Sequence, residues 1–494
     1  MKKLCRETFL EVKQADEFYL EEGRERFIQF GEGNFLRGFV DYFIDIMNEK
    51  ADFNSKVAIV QPIPAGLSDV INEQDGLYNL YLRGLVNGKE VNERRTISSI
   101  SRAINPYTEY DKFIELAKNP DFEFVVSNTT EAGIVFDESC RFNDCPPASF
   151  PGKLTKLLFE RYNTGLDGFV ILSCELIDNN GTELRDCVLQ YCDLWDLGDD
   201  FKRWILEQNY FCNTLVDRIV TGYPKNEADA MNEQNGYIDR LLDTAEPFGL
   251  WVIEGPEFIK EMLPFEKAGL PFIITDDHRP YKKKKVRILN GMQTATTLTS
   301  FLGNFDIERD WMYDEIVYGY LKKVVYDEII PSLDLPLNVT TEFADDCMER
   351  LKNPFIDHML IDITLNSVSK WRARVLPSVR DYLNKYGELP QGLVLSFAAL
   401  IHFYHGKYED GKFTGYRDGK PYPIRDDQNV IDFFAQYSDK EIDETMIKIF
   451  AARKDFFGQN LNEIEGFIEE VCVFSEQIKK DGMLNVMKKI AGID

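Results

Sequence analysis

Short, almost uninterrupted apolar runs alternate with longer stretches of helical periodicity through the first half of the chain. RFIQF (26–30), KVAIVQ (56–61), FEFVVSN (122–128) and GFVILSCELI (168–177) are runs of the first kind. Strands apolar on both faces belong to sheets that are covered on both sides. Between the first two, NFLRGFVDYFIDIMNEK (34–50) sets Phe35, Phe39, Phe43, Ile44 and Met47 three or four apart, which predicts an amphipathic helix. Strand, helix and strand in succession predict a parallel, doubly wound sheet.

The texture changes near DDHRPY (276–281), where we place a domain boundary. KVRILNGMQTATTLTSFLG (285–303), DEIVYGYLKKVVYDEIIPSL (314–333), DHMLIDITLNSVSKWRARVL (357–376) and GLVLSFAALIHFYHG (392–406) read as helices, as do segments near 440–453 and 461–490. The expected fold is α/β: a Rossmann-type, doubly wound parallel sheet over 1–280, followed by a mainly α-helical domain over 281–494. EDGKFTGYRDGKPYPIRDD (409–427) is rich in turn residues and reads as an exposed loop.

Composition narrows the function. The 494 residues carry 57 Lys+Arg against 84 Asp+Glu, a formal net charge of −27. That balance argues against a nucleic-acid or anionic-membrane binder, whose surface must be positive. An anionic small substrate then needs a locally basic site. The first twenty residues lack the apolar core of a secretory signal, and no run approaches a membrane helix, so a soluble, cytoplasmic protein is expected. Nine cysteines with four histidines, all distant from the cysteine pairs, favour reduced thiols and no metal site.

Two segments carry chemistry. FIQFGEGNFLRGF (27–39) is strand, Gly31-Glu32-Gly33, then helix. Gly31 permits a tight turn, Gly33 admits a pyrophosphate to the backbone, and the N–H groups of the helix start face the phosphates. The third fingerprint position is Leu36, with Gly38 two residues on. The second strand ends at Gln61 rather than at the carboxylate that grips a ribose 2′-hydroxyl. Gln61 still bonds a hydroxyl, and the balance favours NAD. In YKKKKVRILNGMQT (281–294), Lys285, Asn290 and Gln293 are spaced by five and three. On an ideal α-helix Gln293 lies about 80° and Asn290 about 140° around from Lys285, so all three address one side. A lysine near a helix start and beside other cations has its charged form disfavoured, which suits a general acid/base, and Asn290 offers a donor to a developing alkoxide. A solvated lysine run leading into a buried helix explains the same spacing. CELIDNNG (174–181) places Glu175 at a strand's carboxyl end, and TLVDRIVTGYP (214–224) sets Asp217 and Arg218 in an apolar stretch. A loop cap and a buried ion pair account for those equally well.

FGEGNFLRGFVD, QDGLYNLYLRG (74–84), SNTTEAGI (127–134), FPGKLTKLLFERY (150–162), CELIDNNG, TLVDRIVTGYP, LDTAEPFGLWVIEGP and KVRILNG together resemble, in order and over nearly the whole chain, the long-chain mannitol dehydrogenase family. The resemblance implies a zinc-independent, NAD-dependent oxidoreductase. Lys285 would protonate the substrate carbonyl oxygen during reduction, and Asn290 would polarise it. Cofactor contacts would come from Ile28, Gln29, Phe30, Gly31, Glu32, Gly33, Asn34, Phe35, Leu36, Arg37 and Gly38, with Gln61, Asn128, Thr130 and Asp217 beside them. Glu175, Lys370 and Arg374 are the implied substrate contacts, the cations (with Arg372 nearby) answering a carboxylate.

Two positions depart from the family pattern. Gln293 stands where the family has a histidine; it exchanges hydrogen bonds but does not titrate near neutrality. Leu176 stands where mannitol-type members carry an asparagine. Gln293 either retunes specificity or weakens activity, whereas Leu176 points away from polyols to the uronate branch, and hence to reduction of D-tagaturonate to D-altronate in hexuronate breakdown. A fructuronate or mannitol-type activity, and a dinucleotide- or sugar-acid-binding protein without catalysis, are the rival readings. The oligomeric state is left open.

Overall fold

In the computed structural model, which describes residues 1–130, 132–438 and 440–493, the apolar runs of the first half form one eight-stranded sheet. Its strands are β1 (Arg24–Phe30), β2 (Ser55–Val60), β3 (Ile100–Ile104), β4 (Phe124–Ser127), β5 (Val170–Ser173), β6 (Tyr210–Asp217), β7 (Leu250–Glu254) and β8 (Phe272–Thr275). The spatial order is β8-β7-β6-β5-β4-β1-β2-β3. From β3 to β6 every neighbouring pair is parallel; β7 then runs antiparallel to β6, and β8 parallel to β7. The core of the sheet is therefore the doubly wound order 3-2-1-4-5-6, with its switch point between β1 and β4. A smaller sheet pairs Tyr78–Val86 antiparallel with Lys89–Ile97 and parallel with Asp243–Ala245. The chain divides into two compact units, Met1–Arg279 and Pro280–Asp494.

The helix after β1 runs unbroken through Asn34–Leu36, a π-helical turn Arg37–Asp41, and Tyr42–Ala51; together these are α1. It seats a fully buried carboxyl, Asp41. Gln29 Nε2 donates to Asp41 Oδ2 at 3.2 Å, and Oδ1 has no partner among the described residues. Burial pushes Asp41 up to about 7, against the Gln29 bond and the nearby Arg37 charge. Asp243 is pushed to about 7 by the same cause. A carboxyl whose folded pKa is raised favours the low-pH folded state. Its advantage is intact below about 4 and is lost as pH climbs to about 7. Asp41→Asn should therefore leave the melting temperature unchanged near pH 4 and raise it by several degrees at pH 8, on the order of 2 kcal/mol. Equal shifts at both pH values would show that the carboxyl does not titrate in the folded protein.

The second unit is mainly helical. Its first helix, α2, joins Arg279–Lys285, a π-helical turn Val286–Asn290, and Gly291–Leu302. Against it packs α3 (Ser367–Arg374); a Cβ on Gly291 would lie 3.2 Å from the Arg374 carbonyl oxygen, so the glycine permits the approach. The segment expected as an exposed loop is instead a three-stranded antiparallel sheet, Gly406–Glu409, Lys412–Arg417 and Lys420–Ile424. Its two hairpin turns are Asp410-Gly411 and Asp418-Gly419, all four residues at positive φ, as type I′ turns demand. Phe413, Tyr422 and Ile424 bury one face.

Candidate functional site

The turn between β1 and α1 has the form that phosphate binding needs. Gly31 has φ of 120°, and a Cβ there would lie 2.9 Å from the Asn128 carbonyl oxygen, so only glycine fits between β1 and β4. Gly33 caps α1, is exposed, and has open space where a Cβ would be. Backbone N–H groups of the first turn of α1 are thus approachable at the switch point.

Neighbouring residues divide between this opening and its scaffold. Asn34 is exposed and Phe35 half-buried. Ile28, Phe30 and Leu36 are core residues, not ligand contacts. Gln29 is buried, bonding the Gly31 carbonyl and Asp41. Arg37 also turns inward: its guanidinium donates to Glu32 O, Leu241 O and Asn34 Oδ1 and lies over the Tyr78 ring. Gly38 passes Val220, where a Cβ would meet a methyl at 3.0 Å, and its carbonyl accepts from Arg218. Gly38 therefore serves packing rather than a ligand.

Gln61 was expected to offer its amide to a ribose. Instead its Nε2 donates to the Ile63 and Pro64 carbonyls, and its Oε1 accepts from Ser68 N–H, so the amide holds its own loop. Glu32 lies beside it. A Cβ on Gly66 would fall 2.2 Å from Glu32 Oε1 and 2.5 Å from Gln61 Oε1, so one glycine separates the two side chains. Burial raises the Glu32 pKa, against backbone hydrogen bonds and Arg37. The turn thus sets a carboxylate at the end of β2 that its strand lacks, and strand periodicity gives no sign of it.

At the end of β4, Asn128 donates to the Cys174 carbonyl, and Thr130 is exposed with φ of 71°. Positive φ is strained for a β-branched residue and is concentrated at binding loops. Glu131 of SNTTEAGI lies outside the described residues. Glu175 is 2 % exposed and turns inward, accepting from Ser127 Oγ and from Thr129 N and Oγ1. It pins the β4 loop and is not open to a substrate. Asp217 ends β6 and is 4 % exposed. Arg218 ties two other segments to its own, donating to the Gly38 carbonyl and to the adjacent Pro247 and Phe248 carbonyls.

In the second unit, Lys285 is the last residue of Arg279–Lys285, not a helix-start residue, so the end of the helix is more than a turn away. Directly after it comes the π-helical turn Val286–Asn290. Bonding from i to i+5 brings residues five apart closer to one face than α-geometry does. Lys285 and Asn290 are such a pair, so the 140° separation expected of an α-helix narrows. Lys285, Asn290 and Gln293 are all half-buried, and the Asn290 amide makes no hydrogen bond with the described residues. Arg287, on the opposite side, is consumed by Ser378, Asp381 and Ser332. Gln293 Nε2 donates to Glu308 Oε1 at 2.8 Å, and Glu308 Oε2 meets His358 Nδ1 at 2.9 Å. Neither Glu308 nor His358 stands out in the sequence, because each is isolated among unrelated residues.

Lys370 and Arg374 project from α3 one turn apart, both half-buried. Lys370 Nζ donates to the Ile363 carbonyl at 2.9 Å, and Arg374 Nη1 lies 3.4 Å from Thr294 Oγ1 of α2. Neither forms an ion pair with a carboxylate among the described residues. Burial lowers both pKa values, and Arg374 lowers that of Lys370 further. The two cations are adjacent and partly desolvated, and the Asp426 charge acts on Lys370 in the opposite direction. Among the described residues one group has metal-like spacing, Glu254, Asp277 and His278. Its carboxylates are committed to Asn213, His278 and Arg279.

A 3-2-1-4-5-6 sheet with a glycine turn at its switch point defines a Rossmann-type dinucleotide-binding domain, here followed by a helical domain with lysine, amide and cation groups on packed helices. The chain belongs to the mannitol dehydrogenase family: residues 25–267 match the mannitol dehydrogenase Rossmann domain and 277–479 the mannitol dehydrogenase C-terminal domain. It is an oxidoreductase acting on CH–OH groups. Altronate oxidoreductase of Phocaeicola vulgatus is 42% identical over 495 residues, covering 99% of this chain and 100% of that one. Altronate oxidoreductase of Escherichia coli O1:K1 is 43% identical over 476 residues, 94% of this chain and 97% of that one. Among solved structures, Pseudomonas fluorescens mannitol 2-dehydrogenase in ternary complex with NAD and D-mannitol superposes with a TM-score of 0.72 at 21% identity, covering 99% of each chain. D-sorbitol dehydrogenase in substrate-free form gives 0.79 at 19% identity, covering 98% of this chain and 100% of that one. At these identities the two structures share the fold.

Proposed function

We propose that the protein interconverts D-altronate and its keto acid D-tagaturonate with NAD, the reductive direction serving hexuronate breakdown. The observation that carries the substrate class is the Lys370/Arg374 pair, a carboxylate site packed against the helix of Lys285 and Asn290. The names of the relatives support the particular acid.

A nicotinamide dinucleotide fits the first unit: Gly31 and Gly33 leave the turn clear of side chains, and the start of α1 offers its N–H groups to a pyrophosphate. When bound in its reduced form, it supplies a hydride to the keto carbon. Lys285 donates a proton to the carbonyl oxygen as it becomes an alkoxide, and in the reverse direction the lysine takes that proton back. The Asn290 amide stabilises the same oxygen by hydrogen bonding. Lys370 and Arg374 hold the carboxylate and so orient the keto group. Glu32 beside the end of β2 disfavours a 2′-phosphate, which supports NAD over NADP.

The test is turnover of NADH and NADPH with tagaturonate, fructuronate and fructose. Fast NADH turnover with tagaturonate, and an NADPH efficiency at least about tenfold lower, is expected. Turnover confined to fructuronate or fructose would replace the substrate. Equal use of NADPH would remove Glu32 from cofactor choice. Dinucleotide binding without turnover of any ketose would leave a binding protein.

A further inference from the structure

Gln293 sits one turn beyond Asn290 on α2, and its amide has two ends of opposite character. A carboxylate only accepts hydrogen bonds, so the end facing Glu308 must be the NH₂ group. The Nε2-to-Oε1 distance of 2.8 Å is that bond. Gln293 Oε1 accepts no hydrogen bond among the described residues, and the side chain is only half-buried. Glu308 itself is 6 % exposed and held from two directions. Its second oxygen meets His358 Nδ1 at 2.9 Å, and its backbone N–H donates to the His358 carbonyl at 3.0 Å. Glu308 holds the imidazole above its usual pKa, with Asp362 acting in the same direction and Lys370 in the other. His358 remains part-exposed, so the chain of bonds runs from solvent, through a buried carboxylate, to an amide on the lysine helix.

We propose that Glu308 and His358 are positioning residues that lock the Gln293 amide with its carbonyl oxygen outward, making Gln293 a specificity-determining acceptor for a substrate hydroxyl near the reacting carbon. The inference deepens the function proposed above and rests on α2 facing the substrate. An amide free to rotate presents either end and discriminates little. An amide whose NH₂ group is held by a carboxylate presents only an acceptor, and a site built to hydrogen-bond a hydroxyl loses much more when the bond is unmade than a site that merely fits its shape. His358 acts one step further out. With its donor removed, Glu308 loses one of two anchors and can turn away from Gln293.

The experiment compares Gln293→Leu, Glu308→Gln, His358→Leu and His358→Asn with the wild type. Asparagine keeps a donor near the Nδ1 position, whereas leucine has none. Steady-state constants for the keto acid and for NADH, and melting temperatures, are measured for each. Gln293→Leu should lower kcat/KM for the keto acid about 10- to 100-fold. Glu308→Gln, which can present its own NH₂ and so reverse Gln293, and His358→Leu should move it the same way by at least about threefold. His358→Asn should recover most of the loss. NADH KM should stay put throughout, which a general structural defect would not allow. Wild-type kcat/KM in both Glu308→Gln and His358→Leu would overturn the positioning role, and in Gln293→Leu the hydroxyl contact. Parallel losses for NADH and keto acid would also overturn it. A wild type that turns over no ketose would end the function proposal and this one together, whereas an active wild type with indifferent variants ends this one alone.

Discussion

Lys285→Ala should cost about 10²- to 10⁴-fold in turnover while leaving NADH affinity within about twofold. The two readouts separate because the lysine lies on α2, whereas the dinucleotide turn belongs to β1 and α1 in the other unit. With no acid at the carbonyl oxygen, the alkoxide must take its proton from water, and Asn290 alone offers it a hydrogen bond. Small primary amines added to the buffer should restore part of the lost rate, as they return a proton donor to the space left by the side chain. Turnover near the wild-type value would sink the mechanism, because no other group on α2 between Lys285 and Gln293 can supply a proton: Arg287 is tied to Ser378, Asp381 and Ser332.

The second large effect concerns charge. Lys370→Ala and Arg374→Ala should each raise KM for the keto acid by about 10-fold or more, and the double variant by about 10²- to 10³-fold. A charge-assisted hydrogen bond to a carboxylate is worth roughly twice a neutral one, and here the cations have surrendered part of their hydration already. The discriminating control is a neutral ketose, whose slow turnover the double variant should leave unchanged or improve. An equal loss on charged and neutral substrates would mean that the pair holds α3 against α2 rather than holding a carboxylate. The Arg374–Thr294 contact is the place where such a structural role would be exerted.

The parts of the fold legible in sequence are those where burial is two-sided. β1, β2, β4 and β5 are nearly continuous apolar runs, and the doubly wound arrangement follows from them. β3 reads ISRAI and β6 reads YFCNTLVD; their polar residues break the apolar signal, although both lie in the same sheet. Lys89–Ile97 is mostly polar because much of it is exposed, so its pairing with Tyr78–Val86 leaves no strand pattern. The hairpins at 406–424 did carry a signal, two Asp-Gly pairs between alternating residues, which read as loop when taken for composition alone. Within the candidate site, the glycine turn was legible because φ of 120° at Gly31 leaves glycine no substitute. The inward turns of Arg37, Glu175 and Gln61 were not, since each is decided by carbonyls or amides distant in sequence. Glu308 and His358 were invisible for the same reason.

The π-helical turn after Lys285 amounts to one residue more than an α-helix of the same path requires. Its consequence is a fixed phase between the two ends of α2. Were the same residues to revert to regular α-geometry, everything before the turn would rotate by about 100° relative to everything after it. Asn290 and Gln293 would keep their neighbours, and Lys285 would swing to a different side of the helix. A chain with every functional side chain present would then lack the arrangement that uses them. For anyone redesigning such chains, the extra residue and the π-helical turn that absorbs it are kept or removed together, because an i, i+4 pair on a regular α-helix again lies only about 40° apart.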